Sequence, residues 1–286
     1  MTKDKNFNTL TTLDFGQKLL DLSTPKVMGI LNLTDDSFYD GGRFNTEKQA
    51  LLQVEKMLED GADVIDLGGY SSRPNAPHVS LDSEWKRLEG TLKKIAQQFA
   101  NIIISVDTFR SEIAKRAIDN GADLINDISA GELDANMFST IAQLNVPYIM
   151  MHMQGTPQNM QKNPHYKHVS LDIYRYFEKK IKEANQLGIN QLVIDPGFGF
   201  GKNLNHNYQI LNRLEDFHQL NLPIMVGVSR KSMIHKVLET NAQNALNGTT
   251  FIHGICLQKG ASILRVHDVK EAKECIKLFN FAKINS

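Results

Sequence analysis

Side chains that could do chemistry recur where short apolar segments of the chain end. Each of eight such segments is followed by polar or charged residues. These residues are Asn32, Asp66, Asp107, Thr108, Asn126, Asp127, His152, Asp195, Ser229, Arg230, Lys231, Ser232, Arg265 and His267. A carboxylate beside an apolar segment is costly to bury unless it gains a partner. The pattern therefore predicts a shared binding site.

Two kinds of ligand chemistry are represented in this set. Asp107, Asn126 and Asp195 offer carboxylate oxygens and an amide to a flat, nitrogen-rich ring, because a carboxylate pairs side by side with an amino-pyrimidinone edge as it does with guanidinium. A second group supplies positive charge, N–H donors and hydroxyls that suit a phosphate or pyrophosphate: Lys231, Arg265, His267, Ser72, Ser229 and Ser232. Asn32 could ligate a hard cation shared with phosphate oxygens. The residues alone predict an enzyme for an anionic heteroaromatic substrate and leave its reaction open.

Four of these residues also have structural interpretations. We expect Asp66 and Asp127 to pair with basic residues inside the fold. Arg230 fits a structural ion pair, and His152 fits a hydrogen-bonded core histidine as well as a functional one. Residues 197–201 do not have the spacing of a dinucleotide-binding motif, and neither zinc-ligand spacings nor a Ser-His-Asp arrangement is found.

The elements that must position these residues are short strands that alternate with helices. The candidate strands are rich in Val, Ile, Leu and Met without polar alternation, which is typical of a parallel sheet covered on its outer face. They span residues 26–33, 62–69, 101–108, 123–129, 147–153, 191–197, 223–229 and 262–268. Helical patterns lie between them; in residues 47–61, for example, Leu51, Val54 and Leu58 recur on one helix face.

This alternation predicts an α/β fold, a TIM-type (β/α)8 barrel with its active site at the C-terminal ends of the strands. An open doubly wound sheet is the alternative, but eight evenly spaced units favour a closed barrel. Because no linker or low-complexity run divides the chain, we expect residues 1–286 to form a single domain. Residues 1–22 are expected to form a hairpin that closes the bottom of the barrel.

The composition limits the partners. The 286 residues include 32 basic and 32 acidic side chains, and this balance argues against nucleic acid or an anionic membrane as the main partner. No apolar run approaches the ~20 residues of a membrane-spanning helix, and the first twenty residues lack the apolar core of a secretion signal. Cys256 and Cys275 are expected to be small buried residues in a reducing cytoplasm.

The stretches around the strand ends resemble those of one enzyme family. They are MGILNLTDDSFYDGGRF, GADVIDLGGYSSRPNA, SVDTFR, GADLINDISA, MHMQGTP, DPGFGFGKN, GVSRKSMI and RVHDV, and they span residues 28–269. In these motifs and their order the chain resembles the dihydropteroate synthase family, folate-pathway enzymes that sulfonamides inhibit. The resemblance implies that para-aminobenzoate displaces pyrophosphate from 6-hydroxymethyl-7,8-dihydropterin pyrophosphate to give 7,8-dihydropteroate. It also implies Mg²⁺, a homodimer and a dissociative reaction, in which pyrophosphate leaves before the amine attacks.

The same resemblance implies a role for each matched residue. The residues expected to bind the pterin are Asp107, Asn126, Met151, Asp195 and Lys231. Pyrophosphate binding falls to Asn32, Ser72, Arg73, Arg265 and His267, with Asn32 also the metal ligand. The residues expected to border para-aminobenzoate are Ser72, Arg73, Pro74, Phe200, Lys231 and Ser232. The implied catalytic set is Lys231, Asp107, Asp195, Arg265 and His267.

Three residues depart from the family pattern. Asp35 stands where the family usually has proline, Ser72 where it has threonine, and Tyr70 where it often has an acidic or amide side chain. We expect Asp35 and Tyr70 to lie on mobile loops. Two alternatives to a synthase are a methyltransferase domain built on a pterin-binding barrel and a paralogue that binds without turnover. The Ser-Arg-Lys-Ser and Arg-x-His stretches argue against the first, and the intact loop motifs argue against the second.

Overall fold

The computed structural model describes residues 10–33, 47–71 and 78–285. A hairpin of β1 (Thr12–Asp14) and β2 (Leu19–Asp21) precedes a sheet of eight parallel strands. These strands are β3 (Lys26–Asn32), β4 (Val64–Gly68), β5 (Ile103–Asp107), β6 (Leu124–Asp127), β7 (Tyr148–Met151), β8 (Leu192–Asp195), β9 (Met225–Val226) and β10 (Ile263–Val266). Their order is β8-β7-β6-β5-β4-β3-β10-β9. Ile194 on β8 pairs with Ile224 just before β9, and this bridge closes the sheet into a barrel.

The helices lie on the outside of the barrel. They are α1 (Glu47–Glu59), α2 (Leu81–Gln98), α3 (Ser111–Asp119), α4 (Met137–Leu144), α5 (Val169–Gln186), α6 (Leu204–Asn212), α7 (Ser232–His235), α8 (Leu246–Gln258) and α9 (Val269–Ile284), with a 3-10 helix, Leu214–Leu220, before β9. The predicted (β/α)8 barrel is thus confirmed, and the open doubly wound sheet is wrong. In the part of the chain that the structure describes, no helix has the length and apolar character needed to cross a membrane.

The two faces of the strands carry different residues. Successive side chains on a strand point to opposite sides, and the outward ones, such as Leu67 and Val106, join the large core beneath the helices. The inward ones near the N-terminal strand ends form a separate apolar layer, to which every barrel strand contributes one residue: Met28, Val64, Ile103, Leu124, Ile149, Val193, Met225 and Ile263. Two positions further along several strands, the same inward face becomes polar. The strands thereby deliver polar side chains to one end of the barrel.

The β1–β2 hairpin covers the apolar end of the barrel. Leu13 and Leu20 are buried against the inward apolar layer. The side chain of Gln191, beside β8, fixes the hairpin by two hydrogen bonds, accepting from the Asp14 amide at 2.6 Å and donating to the Asp14 carbonyl at 2.9 Å. Lys18 pairs with Asp123 at 3.0 Å. In the part of the chain that the structure describes, the hairpin covers this end of the barrel, and a ligand can enter from the opposite end.

The seventh barrel strand is much shorter than the sequence predicts. The pattern indicates a strand over residues 223–229, whereas β9 is Met225–Val226. Pro223 has no N–H group and therefore cannot donate to a ladder; its carbonyl instead accepts from the Ile194 amide at 3.0 Å. The chain beyond Val226 is free to leave the sheet and carry its polar residues over the barrel mouth.

Both cysteines are free and buried, as predicted. Cys256 lies on α8 and Cys275 on α9. Burial raises the pKa of the Cys256 thiol to about 12, which keeps it protonated and unreactive near neutral pH.

Candidate active site

A cavity of about 750 Å³ opens at the C-terminal ends of the strands. It is lined by seven of the predicted site residues: Asn32, Asp107, Phe200, Lys231, Ser232, Arg265 and His267. Asn126, Met151 and Asp195 are buried immediately behind this lining. Ser72, Arg73, Pro74 and Asp35 lie outside the described residues. The strand ends therefore meet around a single space, as a barrel requires.

Arg265 on β10 links two carboxylates across the barrel interior. Its Nε donates to Oδ2 of Asp66 and its Nη2 to Oδ2 of Asp107, both at 2.7 Å. Burial raises the pKa of Asp107 to about 7; the Arg265 guanidinium opposes this shift, and the neighbouring charge of Asp66 adds to it. The same two carboxylates raise the pKa of Arg265 against the effect of its burial. The result is a fixed cation at the mouth of the cavity.

Asp66 supports this arrangement from below. It is fully buried, and it accepts hydrogen bonds from Ser105 Oγ at 2.5 Å and from Asn126 Nδ2 at 3.0 Å in addition to that from Arg265. The prediction that Asp66 pairs with a basic residue inside the fold is confirmed. Because one carboxylate orients both Asn126 and Arg265, the amide and the guanidinium reach the cavity in fixed positions.

The corresponding prediction for Asp127 is wrong. Asp127 follows Asn126 on the same strand and therefore faces the outer side of the barrel. It has no basic partner among the described residues; it accepts from the Ser129 amide at 2.7 Å, the Gly131 amide at 2.8 Å and the Tyr148 hydroxyl at 2.5 Å. Burial raises the pKa of Asp127, and these hydrogen bonds oppose the rise. Its role is to shape the turn after β6.

Asp195 and Lys231 both approach Gly227. A Cβ at Gly227 would lie 3.7 Å from Lys231 Nζ and 4.0 Å from Asp195 Oδ2. Because Gly227 has no side chain, both groups can come close to the same backbone position. Burial raises the pKa of Asp195 against the positive charge of Lys231, and burial lowers the pKa of Lys231 to about 8. A neutral ring with donor and acceptor edges suits this pair.

The loop after β8 carries Phe200 into the cavity. Gly197 and Gly199 have φ values of +72° and +83°, which other residues adopt only with strain. Lys231 Nζ donates to the Phe198 carbonyl at 2.5 Å and lies 4.7 Å from the centre of the Phe200 ring. The loop that the glycines allow to turn therefore packs against Lys231, and Phe200 forms one wall of the site.

Sequence reasoning missed the role of Lys202 at the end of this loop. Lys202 is buried, and its Nζ meets the Phe200 carbonyl at 2.8 Å, His152 Nδ1 at 3.0 Å and the His152 carbonyl at 3.2 Å. These three acceptors match the three N–H groups of an ammonium. His152 is itself buried, and burial lowers its pKa well below the usual range. The interpretation of His152 as a hydrogen-bonded core histidine is confirmed. The only sequence signal for its partner Lys202 was the position of a lysine directly after the glycines.

Arg230 holds the loops on either side of Lys231 and His267. Its Nε and Nη2 donate to the two carboxylate oxygens of Asp268, each at 2.8 Å, as the predicted structural ion pair. Its Nη1 donates to the carbonyl of Ala242 at 3.0 Å. The Ser229 hydroxyl accepts from the His267 amide at 3.3 Å. These contacts connect the loops after β9 and β10, which carry Lys231 and His267.

Tyr70, two residues after β4, is packed against the barrel, and its predicted place on a mobile loop stays a prediction. It is 8% exposed and packs edge-on against Phe109 with ring centres 5.1 Å apart. The guanidinium of Arg110 lies 5.3 Å from the centre of the Tyr70 ring. This aromatic and cationic environment explains why a tyrosine is tolerated where the family often has a polar side chain.

Comparisons with known proteins identify the family. A family model described as pterin binding enzyme matches residues 28–267. The dihydropteroate synthase of Haemophilus influenzae is 44% identical over 264 residues, which are 92% of this chain and 95% of that protein. A crystal structure of the Yersinia pestis dihydropteroate synthase with a sulfonamide drug complex superposes with a TM-score of 0.92 at 42% identity, covering 96% of this chain and all of that one. A Xanthomonas albilineans dihydropteroate synthase structure with 4-aminobenzoic acid gives a TM-score of 0.89 at 35% identity, covering 96% of this chain and 98% of that one.

The polar and charged side chains at the C-terminal ends of the strands occupy the place of an active site in a barrel enzyme. The chain belongs to the pterin-binding enzymes and, within them, to the dihydropteroate synthase family. The alternative of a methyltransferase domain on a similar barrel is therefore wrong.

Proposed function

We propose that this cavity joins 6-hydroxymethyl-7,8-dihydropterin pyrophosphate to para-aminobenzoate, releasing pyrophosphate and forming 7,8-dihydropteroate. The observation that carries the proposal is a cavity lined by Asp107, Lys231 and Arg265, with the buried Asp195 interacting electrostatically with Lys231. Carboxylates suit the amino-pyrimidinone edge of a pterin, and cations suit its leaving group. The aminobenzoate bound to the Xanthomonas albilineans relative agrees with the second substrate.

The pterin ring is assigned to the space beside Gly227. Asp195 would bind its amino-pyrimidinone edge, with Lys231 on the other side of the ring. Asp107 and Asn126 would bind the remaining polar atoms, and these two residues are neighbours in the register of β5 and β6. Met151 supplies an apolar contact, because it belongs to the apolar cluster that includes Phe200.

The pyrophosphate is assigned to Arg265, His267 and Asn32, together with Ser72 and Arg73. A guanidinium has five N–H donors, and Arg265 uses two of them on Asp66 and Asp107 among the described contacts. The remainder can donate to phosphate oxygens without any reorientation of the side chain. Such fixed donors stabilise the charge that develops on the leaving group.

We assign the magnesium ion that the resemblance implies to Asn32. The described residues contain no group of three or more His, Cys, Asp or Glu side chains that could hold a metal, whereas Asn32 offers one hard amide oxygen in the cavity. Magnesium often binds through few protein ligands and substrate phosphates. When bound, it would supply positive charge to the pyrophosphate oxygens, so we expect little metal affinity before pyrophosphate is present.

Para-aminobenzoate is assigned to the space bordered by Phe200, Lys231 and Ser232, with Ser72, Arg73 and Pro74 completing the site. Phe200 would pack on the benzoate ring, and Ser232 would donate to its carboxylate. The protein's task is to place a weak amine nucleophile opposite the departing pyrophosphate. Departure of pyrophosphate creates the electrophile, so no side chain is needed as a base to start the reaction.

We also propose a cytoplasmic homodimer. Large apolar side chains are exposed along α8 and α9: Phe251 at 69%, Leu278 at 73% and Phe281 at 72%. An exposed apolar face of this kind marks a protein interaction surface, and a second copy of the chain is the partner that the family resemblance implies. The two free buried thiols suit a reducing compartment. Sedimentation velocity measures the oligomeric state directly.

Turnover by the purified chain tests the proposed reaction. Pyrophosphate and 7,8-dihydropteroate should appear in equal amounts when both substrates and Mg²⁺ are present. A sulfonamide should suppress dihydropteroate formation in competition with para-aminobenzoate. A folded protein that binds pterin but forms no dihydropteroate would contradict the proposal and favour a binding role.

A further inference from the structure

The segment between β7 and α5 touches both walls of the proposed aminobenzoate end of the cavity. We call residues 154–166 the bridging segment. Gln158 Nε2 donates to the Tyr70 hydroxyl at 3.0 Å, and Gln161 Nε2 donates to the Gly199 carbonyl at 2.5 Å. Tyr70 and Gly199 both line the cavity, and they belong to loops after β4 and β8. Two glutamines three positions apart therefore connect two loops that are distant in sequence.

The bridging segment is well braced by its own hydrogen bonds. The side-chain amide of Gln154 donates to the His165 carbonyl and accepts from the His165 amide, both at 2.9 Å. The Asn159 side chain accepts from the Thr156 amide at 2.7 Å. The Tyr166 hydroxyl donates to the Gly201 carbonyl at 2.7 Å, a second attachment to the loop after β8. A segment held at both of its ends can act as a rigid brace.

The bridging segment connects two walls of the cavity, one formed by Tyr70 and the other by Phe200. Tyr70 is fixed by its ring contacts with Phe109 and Arg110. Gly199 directly precedes Phe200, and the Phe200 ring contacts Lys231. A shift of either loop would change the width of the space between them. At the pterin end, Asp107 is held by Arg265 and Asp195 accepts from the Gly197 amide at the very start of the loop, two residues before the point that Gln161 contacts.

We infer that Gln158 and Gln161 are positioning residues for para-aminobenzoate, because they set the distance between the Tyr70 wall and the Phe200 wall. This inference rests on the proposed placement of the aminobenzoate beside Phe200. Neither glutamine touches the reacting atoms. Their loss should therefore raise KM for para-aminobenzoate and leave KM for the pterin substrate unchanged.

The two glutamines should respond differently to the same isosteric substitution. A glutamate at either position keeps the shape of the side chain but loses the amide donor. The Tyr70 hydroxyl can turn from acceptor to donor, so Gln158→Glu keeps a hydrogen bond. The Gly199 carbonyl can only accept, so Gln161→Glu places two acceptors against each other. Because Gln161 and this contact are exposed, water can replace the lost donor, and the loss corresponds to a roughly two- to fivefold change.

Steady-state kinetics with each substrate varied in turn tests the inference. Gln161→Glu and Gln158→Met should each raise KM for para-aminobenzoate roughly two- to fivefold, and Gln158→Glu less than twofold. Tyr70→Phe should add nothing further to Gln158→Met, because both remove the same hydrogen bond. Gln186→Glu, at the exposed end of α5, serves as the matched control and should behave as wild type. If Gln161→Glu does not fold, Gln161→Met takes its place with a smaller expected rise.

A Phe200→Ala arm separates the inference from the placement on which it rests. If Phe200→Ala raises KM for para-aminobenzoate and Gln161→Glu does not, the bridging segment has no positioning role. If neither variant changes KM for para-aminobenzoate, the aminobenzoate does not bind beside Phe200, and the proposed placement is wrong. Parallel increases in both KM values would also overturn the inference, since they indicate a general loss of structure.

Discussion

At the residue scale, the site depends on charges that are compensated before any substrate arrives. Arg265 lies between Asp66 and Asp107, and Asp66 also fixes Asn126. A side chain held in this way reaches the leaving group without the entropic cost of ordering a free arginine. The arrangement costs folding free energy in return, because two carboxylates and one guanidinium are withdrawn from water.

The burial of Asp107 makes the stability of the protein depend on pH. The pKa of Asp107 is about 7 in the folded chain, against an ordinary value of 3.8 for an aspartate. Between these values the folded state binds the proton more firmly than the unfolded state, so the contribution of Asp107 to stability falls as pH rises from about 4 to about 7. Urea unfolding at pH 5 and pH 8 measures this. Wild type should lose more stability over that interval than Asp107→Asn, and equal losses would show that Asp107 is ionised throughout.

The sequence predicted the residues at the strand ends because a barrel brings those ends together whatever lies between them. It failed for Asp127, although the strand period contained the answer: if Asn126 faces inward, its neighbour faces outward. Lys202 was missed for a different reason. Its partner His152 is fifty positions away, and no local pattern shows that three acceptors will converge on one ammonium.

At the element scale, the loop after β8 is closely packed against the rest of the barrel. A Cβ at Gly197 would lie 2.1 Å from the His152 carbonyl oxygen, so the loop passes against the backbone after β7. The same loop carries Phe200, receives the Gln161 hydrogen bond and ends at Lys202. From the sequence, these glycines fitted either an ordinary turn or a functional loop. Both descriptions apply, because the glycines allow a turn that lies close to the backbone after β7.

Gly197→Ala should therefore destabilise the protein by roughly 2–5 kcal/mol, the sum of left-handed strain and a steric clash. It should also raise KM for para-aminobenzoate, since Phe200 is displaced. Gly188→Ala is the matched control: its φ is +83°, but nothing lies within 4 Å of the added Cβ, so only strain of about 1–2 kcal/mol is expected. Chemical denaturation of both variants checks this, and equal losses would show that the contact with His152 is not limiting.

At the scale of the whole molecule, the two ends and the outer face of the barrel have different roles. The hairpin fills one end, the cavity occupies the other, and α8 and α9 present an apolar face on the outside. The sequence predicted the barrel from its period and the hairpin from its position. It did not predict which helix face stays exposed, because the apolar residues of α8 and α9 serve both the core and the outer surface.

If α8 and α9 form the dimer surface, Leu278→Glu combined with Phe281→Glu should convert the dimer to monomers in sedimentation velocity. Two unpaired carboxylates at the centre of an apolar interface are strongly unfavourable. Leu187→Glu is the control, since Leu187 is 50% exposed at the end of α5 and should leave the dimer intact. A wild-type chain that sediments as a monomer would contradict the proposed homodimer.

The central claim is that Asp195 binds the pterin edge opposite Lys231, and calorimetric titration of an oxidised pterin analogue into wild type and Asp195→Asn tests it most directly. Asparagine preserves the shape and removes the charge. The loss of one charge-assisted hydrogen bond should weaken binding by about 1.5–3 kcal/mol, roughly 10- to 150-fold, with an unchanged circular dichroism spectrum. Wild-type affinity in a folded Asp195→Asn variant would contradict the assignment of this cavity to the pterin.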